Sequence, residues 1–244
     1  MDTFVLGFMS FGTSIITAVV GIGGGLLLIS ILPFFLPTNA LIPIHGLNQI
    51  TSNISRAYFG YKDIQFHVIP KFLIGSFIGV GIFMSFLKMV SVTYIPLFLG
   101  IYILLSLWSQ AFNEAIMKYE SYYVIGFFQT GLSVIVGTTG QLTVTKLLKE
   151  FQDKNKVVAT SAILMCITHI LKIIVFIYFG FVFRDYLNVV LSMAIGSILG
   201  SYIGTHVRDK IDGKKLIFIL KIFLSLSCCK KYFECYNSPI LRHI

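Results

Sequence analysis

Residues 3–55 contain no Asp, Glu, Lys or Arg, and most of this uncharged stretch is strongly apolar. A stretch of this kind is typical of transmembrane helices, because about 20 apolar residues span the hydrocarbon core of a bilayer. The composition agrees, with 56% hydrophobic and 12% charged residues among 244 and a mean hydropathy of +0.87. Soluble domains carry about 25% charged residues. The sequence therefore predicts an all-α, polytopic integral membrane protein and excludes soluble enzymes, disordered chains and nucleic-acid-binding modules.

Two apolar segments, 4–36 and 122–148, are too long for a single crossing. A continuous helix over 4–36 would measure about 50 Å, against a hydrocarbon core of about 30 Å. Glycines interrupt both segments, at Gly21–Gly25 and at Gly137–Gly140, and glycine is a poor helix former. We expect broken or re-entrant helices there. Continuous helices are expected at about 41–60, 68–87, 92–109, 157–180, 186–207 and 216–228.

The two halves of the chain share a pattern of small residues, which predicts an internal duplication. The matches keep their order at an offset of about 116 to 121 residues: Gly7-Phe8 with Gly126-Phe127, Gly21 and Gly24 with Gly137 and Gly140, Phe59-Gly60 with Phe179-Gly180, and Gly75-x-x-x-Gly79 with Gly196-x-x-x-Gly200. Weak internal symmetry of this kind is typical of transporters. The predicted organisation is repeat 1 at 1–110, a linker at 111–121, repeat 2 at 122–228 and an irregular tail at 229–244.

The distribution of Lys and Arg favours a re-entrant topology. If both overlong segments cross the membrane, nine Lys and Arg residues near the loops lie on one face and seven on the other. If both dip in and return, one face collects eleven and the other five, which is the stronger bias of the kind that orients membrane proteins. Each repeat then crosses three times, so the repeats are predicted to be inverted, with both termini outside. No cleaved signal peptide is expected, because no basic segment precedes the first apolar run.

The glycine breaks are the first candidates for a binding site, because broken helices present unpaired backbone N–H groups near the middle of the membrane. The candidates are Gly23, Gly24 and Gly25 in the first break and Gly137, Thr138, Thr139, Gly140 and Gln141 in the second. The alternative is that these small residues serve only for close helix packing.

Ionisable residues within the spans predict the sign of the ligand, because a charge in the membrane is costly and seldom kept without a function. Lys172 lies deep in its segment, with His169 one turn before it, while Arg56 lies nearer a segment end. Snorkelling to the interface is the alternative for both cations. Gln49 and Asn53 share a helical stripe with Arg56. Because no Asp or Glu is expected inside a span, this set of donors predicts an anion-binding cavity.

The remaining polar residues carry weaker signals. His45 and His67 lie near segment ends and are interpreted as interfacial rather than functional. Cys166 is alone in an apolar run, and Cys228, Cys229 and Cys235 crowd the tail. We predict no disulfide, no metal site and no cofactor from these residues.

Seven motifs, taken in their order along the chain, carry a family resemblance. They are Gly21-Ile22-Gly23-Gly24-Gly25, His45-Gly46-x-x-Gln49-x-x-Ser52-Asn53-x-Ser55-Arg56, Gly75-x-x-x-Gly79, Gly137-x-x-Gly140, Ala159-Thr160-Ser161, Thr168-His169-x-x-Lys172 and Gly196-x-x-x-Gly200. With them, residues 4–215 resemble the TauE/SafE family of sulfite and organosulfonate exporters. The resemblance implies a multi-pass permease of the bacterial inner (plasma) membrane, with members linked to export of sulfite, sulfoacetate and related small oxyanions.

The C-terminus departs from the family pattern, which usually ends in a full spanning helix. Here the apolar run from Leu216 to Ser227 contains Lys221 and gives way to a Cys- and Lys-rich tail. The tail matches nothing expected of the family, which predicts an altered terminus.

The predicted function is transport of a small oxyanion, sulfite or an organosulfonate, by alternating access between the repeats. Lys172, Arg56 and His169 would neutralise the anion, and Gln49, Asn53, Thr139, Gln141 and the amides at the breaks would donate hydrogen bonds. The alternatives are a channel or carrier for another small anion or metabolite, and a membrane scaffold without a substrate. An intramembrane enzyme is not predicted, because the chain lacks a His-Glu-x-x-His motif and paired membrane aspartates. The expected partners are the lipid bilayer and the anion, and the oligomeric state stays open.

Overall fold

A computed structural model describes residues 2–87 and 121–211, together with single positions at 101, 104, 105, 108, 109, 111, 114 and 222. The predicted segments at 92–109 and 216–228 lie outside the described residues apart from those single positions, and so does the whole tail at 229–244. The described part of the chain is helical and contains no strand. This confirms the all-α prediction.

Eight α-helices make up the described fold. They are α1 (Asp2–Val20), α2 (Gly24–Ile31), α3 (Thr38–Phe59), α4 (Ile69–Leu87), α5 (Tyr122–Val136), α6 (Gln141–Glu150), α7 (Lys154–Tyr178) and α8 (Leu187–Val207). Short 3-10 helices lie at Leu32–Phe34, Tyr61–Asp63, Phe66–Val68, Phe183–Tyr186 and Arg208–Lys210. Both runs of four helices follow the same order, with a short second helix.

The two overlong segments break at the predicted glycines. Gly21 and Gly23, between α1 and α2, have φ angles of +91° and +97°, and Gly137, at the end of α5, has a φ of +82°. L-residues with a side chain rarely adopt these angles, so glycine lets the chain turn sharply where each long segment must reverse.

Two helix pairs pack with very close backbones, α1 with α8 and α4 with α5. A methyl group built on Gly196 or Gly200 would collide with carbonyl oxygens of α1, and one built on Gly75 or Gly79 would collide with those of α5. These are the matched Gly-x-x-x-Gly pairs of the sequence. Small residues of this kind allow helices to approach closely in a membrane, where van der Waals packing drives association.

Side-chain contacts fix the directions of the helices. Ser10 on α1 bonds Asn48 on α3 at 2.9 Å, and Ser14 on α1 lies 3.0 Å from Ser52 on α3. Since residue numbers rise together, α1 and α3 run in the same direction. The chain between them must therefore return, and α2 lies in this returning stretch.

Helices α3 and α7 run in opposite directions, because Gly46 packs against Lys172 while Gly60 packs against Ala159. The matched glycine contacts make α8 parallel to α1 and α4 parallel to α5, and the contacts of Thr168 and Lys172 make α7 parallel to α5. Helices α1, α3 and α8 therefore run one way and α4, α5 and α7 the other. Corresponding helices of the two runs are antiparallel, which agrees with the predicted inversion; the number of membrane crossings stays a prediction.

Basic residues gather at one end of the bundle. Lys154, at the start of α7, donates to the Arg208 carbonyl at 3.3 Å, and the Gln65 amide, just before α4, donates to Thr160 at 3.0 Å. The end of α8 and the starts of α4 and α7 therefore meet at one end. This is the end at which the re-entrant topology places the Lys- and Arg-rich face.

The outer faces of the bundle suit a lipid environment. Large apolar side chains are exposed along α4 and α8, among them Ile74, Phe77, Ile78, Ile82, Leu191, Ile195 and Leu199. By length and composition, four helical stretches of the described chain could span a membrane: Thr3–Val20, Phe66–Phe86, Lys154–Tyr178 and Phe183–Lys210. An exposed apolar surface of this extent is covered by lipid in a membrane protein.

Candidate functional site

The two glycine breaks meet inside the bundle. A methyl group built on Gly25, in the first break, would lie 3.3 Å from the Gln49 side-chain oxygen and 3.5 Å from the Thr138 hydroxyl in the second break. The stretch from 21 to 25 therefore faces both the polar stripe of α3 and the stretch from 137 to 141. The starts of α2 and α6 lie beside one space.

That space is a cavity of about 430 Å³, a volume that includes space open to solvent. Its lining is Thr17, Gly21, Ile22, Gly23, Gly25, Leu26, Gln49, Gln129, Thr138, Thr139, Gly140, Gln141, Met165, Thr168 and His169. These residues supply amides, hydroxyls and one imidazole beside a few apolar groups. None of the lining residues is Asp or Glu.

Gln129 holds the second break in place. Its side-chain oxygen accepts from the Thr143 backbone N–H at 3.1 Å and from the Thr143 hydroxyl at 2.5 Å, and its amide nitrogen donates to Thr168 at 3.3 Å. The Thr139 hydroxyl donates to the Gln129 carbonyl at 2.6 Å. The hydrogen bonds of Gln129 therefore connect α5, α6 and α7. The hydroxyl proton of Thr139 is used in one of these bonds, so it is not available to a ligand.

Three lining side chains have polar atoms without a hydrogen-bond partner. Gln49 and Thr138 form no side-chain hydrogen bond within the described chain, and the Nδ1 atom of His169 is buried without a partner. All three are nearly inaccessible to solvent. Buried polar groups are normally hydrogen-bonded, so groups left without partners beside a cavity are suited to bind a ligand.

The structure divides the predicted site residues into two sets. Those lining the cavity are Gly23, Gly25, Gln49, Thr138, Thr139, Gly140, Gln141 and His169. Gly24, Asn53, Arg56, Gly137 and Lys172 lie outside the lining. Gly24 serves close packing, because a methyl group there would collide with the Thr13 carbonyl and the Thr17 hydroxyl.

Lys172 binds the end of a broken helix. Its side chain is 0% exposed, and Nζ donates to the Gly137 carbonyl oxygen at 2.7 Å. Gly137 ends α5, and a cation is favourable at the negative end of a helix dipole. Because the ammonium group is enclosed by protein, the snorkelling alternative is wrong for Lys172.

Arg56 makes the equivalent contact at the end of α1. Its side chain is 0% exposed, with Nη1 3.4 Å from the Thr17 carbonyl oxygen and Nη2 bonded to the Asn53 side-chain oxygen. Snorkelling is therefore wrong for Arg56 as well. Both broken long helices have a buried cation at their C-terminal end.

The structure contradicts the interfacial position predicted for His45. The sequence placed it at the interface, whereas its side chain is fully buried, with Nε2 3.0 Å from the Gly25 carbonyl oxygen and its ring 5.8 Å from that of His169. The error arose because α3 begins at Thr38, ahead of the predicted start, and because the returning stretch before it covers this turn.

Sequence reasoning missed Thr17, Gln129 and Thr168 in the lining. Gln129 had a usable signal, because an amide within an otherwise apolar membrane segment needs a partner. Thr168 was part of a family motif but was given no role, and Thr17 had no signal, since threonine can bond to its own helix and is common in membrane helices. Among the described residues, no group of His, Cys, Asp and Glu could hold a metal ion.

Comparison with known proteins gives one match. Residues 6–230 of the chain match the family described as "Sulfite exporter TauE/SafE". No curated protein and no solved structure matches the chain significantly.

Proposed function

The chain belongs to the sulfite exporter TauE/SafE family of membrane transporters, and we propose that it carries a small oxyanion, sulfite or an organosulfonate, across the cell membrane. The cavity between the two glycine breaks is the proposed binding site. In this proposal the protein spans the bilayer several times and moves its substrate by alternating access between two inverted repeats.

One observation carries the proposal: the cavity offers hydrogen-bond donors and positive charge without a lining carboxylate. Gln49, Thr138 and His169 line it, and Lys172 lies behind its wall. Positive charge beside the cavity is worth more than in bulk water, because the dielectric constant of the surrounding protein is lower. A cation would meet no compensating charge there, whereas an oxyanion would.

Backbone groups add to the site. Helices α2 and α6 both begin at the cavity, and the first amides of a helix have no acceptor within that helix. The positive ends of the two helix dipoles therefore favour an anion between them. In this proposal the amides of Gly23–Gly25 and of residues 138–140 share the oxyanion with the side-chain donors, whereas the Gly137 amide already donates to the Ser133 carbonyl oxygen at 2.9 Å.

The proposed substrate-binding residues outside the lining act at longer range. Lys172 and Arg56 supply positive potential from behind the cavity wall, while Asn53 orients Arg56. Gly24 and Gly137 provide the close packing and the turn that place the two short helices. Alternating access would shift one repeat against the other around the two breaks, as inverted repeats do in other transporters.

Uptake of radiolabelled sulfite into proteoliposomes tests this function. We expect saturable flux that sulfoacetate competes for, and a loss of at least about tenfold in Gln49→Leu, because one donor to a charged ligand is removed. Gln152→Leu is the matched control, since Gln152 is an exposed loop residue. Flux of another anion that sulfite does not inhibit would make this a carrier for that anion. Folded protein without flux of sulfite, sulfoacetate, sulfate or chloride would favour the scaffold alternative.

A further inference from the structure

Three buried donors without partners lie near the C-terminal end of α1, outside the cavity. They are Nε of Arg56, Nδ2 of Asn53 and Nη2 of Arg208. Arg56 and Asn53 are 0% exposed and Arg208 is 3% exposed. An unpartnered buried donor destabilises the folded protein, and more so when it is charged, so three of them in one region need an explanation.

The two arginines are held beside each other by neighbouring carbonyl groups. Arg56 Nη1 lies 3.4 Å from the Thr17 carbonyl oxygen, and Arg208 Nε donates to the Ala18 carbonyl oxygen at 2.7 Å. Arg208 Nη1 also donates to the Asn155 side-chain oxygen at 2.7 Å. Helices α1, α3 and α8 and the start of α7 thus bring two guanidinium groups together.

Neither guanidinium forms an ion pair with a carboxylate of the described residues. The carboxylates of Asp209, Asp63 and Asp153 stabilise the charge of Arg208 without a direct bond to it. At Arg56 the end of the α1 dipole contributes about half a negative charge, against one positive charge. Buried charges are normally paired, because burial of an unpaired ion is strongly unfavourable.

We propose that Arg56, Arg208 and Asn53 form a second anion-binding site, separate from the central cavity. The ligand class is a small oxyanion such as sulfite or a sulfonate group, whose oxygens match the planar fork of guanidinium donors. Its charge would balance the arginines, and its oxygens would accept from the three free donors. This inference rests on the proposed function, because the ligand is the transported anion.

The location gives the second site a role in transport. Thr17 belongs to both sites, since its carbonyl group contacts Arg56 while the residue also lines the cavity. The second site lies towards the basic end of the bundle, where Lys154 contacts Arg208. An anion bound there lies next to the cavity, on the side that the predicted topology assigns to the cytoplasm. The second site therefore captures the anion before it enters the cavity.

The stoichiometry of sulfite binding tests the proposal without any substitution. Equilibrium binding of ³⁵S-sulfite to the purified full chain in detergent is expected to give two anions per protein. Arg208→Gln removes one charge and three donors, so we expect it to eliminate one of the two sites or to weaken it at least about tenfold. Gln49→Leu is expected to affect the other site. Lys210→Gln is the control, because Lys210 is exposed on the same 3-10 helix and carries the same charge.

Arg208→Lys tests whether a loss of binding in Arg208→Gln is caused by a folding defect, since lysine keeps the charge and a donor for the Ala18 carbonyl. It should bind two sulfites, with weaker affinity at one site. If the wild-type protein binds only one sulfite, and Gln49→Leu eliminates this binding while Arg208→Gln does not, the second site is overturned. The proposed function is then left intact. A single sulfite with the opposite sensitivity would support the second site and contradict the cavity as the substrate site. Absence of binding would overturn both.

Discussion

Replacement of Gly137 by alanine is expected to destabilise the protein through backbone strain alone. Gly137 ends α5 with a φ of +82°, and a residue with a side chain in such a conformation costs about 1–3 kcal/mol. The added methyl group would lie 3.4 Å from the Ile29 side chain and 3.6 Å from that of Ile42, which are ordinary van der Waals distances. Because no collision adds to the strain, we expect Gly137→Ala to lower the free energy of unfolding by about 1–3 kcal/mol.

The measurement is the midpoint of thermal unfolding in detergent, where about 1–3 kcal/mol corresponds to a decrease of roughly 2–12 °C for a chain of this size. Gly12→Ala is the matched control, because a methyl group on Gly12, within α1, meets nothing within 4 Å. Alanine is about 0.5–1 kcal/mol better than glycine inside a helix, so this control should be neutral or stabilising. A Gly137→Ala variant that unfolds at or above the wild-type temperature would refute the reasoning.

Three further substitutions test other parts of the structure. Gly24→Ala should reduce folded yield more severely than Gly137→Ala, because its methyl group would collide with the backbone of α1; equal yield in a fluorescence-detected elution profile would contradict this close packing. Lys172→Met removes the charge-assisted bond to the Gly137 carbonyl, so we expect sulfite flux to fall at least about tenfold; unchanged flux in proteoliposomes would remove Lys172 from the transport mechanism. Asn48→Leu eliminates the acceptor of two serine hydroxyls at 2.9 and 2.7 Å and should lower stability by about 1–3 kcal/mol; an unchanged unfolding midpoint would show that the two hydroxyls find other partners.

The fold class and the breaks could be predicted because they depend on local properties of the chain. Apolar segments of membrane-spanning length report the bilayer directly, and the structure ends α1 and α5 next to the predicted Gly21 and Gly137. The matched Gly-x-x-x-Gly pairs also lie where their pattern indicates, at close helix contacts. Family membership followed from the same motifs and is confirmed over residues 6–230.

The candidate site was only partly predictable, because sequence position does not tell which groups a buried side chain contacts. Lys172 and Arg56 were identified as functional cations, but the prediction could not show that both bind carbonyl groups at helix ends. His45 was placed at the interface, although the return of the chain through α2 buries it beside His169. Gln129, the centre of a hydrogen-bond network, went unnoticed among its apolar neighbours.

The sequence by itself determined that this chain is a helical membrane protein with two glycine-broken segments and with cations, but no carboxylates, inside its apolar segments. Hydrophobicity, charge and glycine content act residue by residue, so they can be read without coordinates. Tertiary structure decided which polar groups share a cavity, which cations bind helix ends, and that Arg56 and Arg208, residues far apart in the chain, bond to consecutive carbonyl groups of α1. These facts depend on the parallel packing of α1 with α3 and α8, a long-range arrangement that no local pattern specifies.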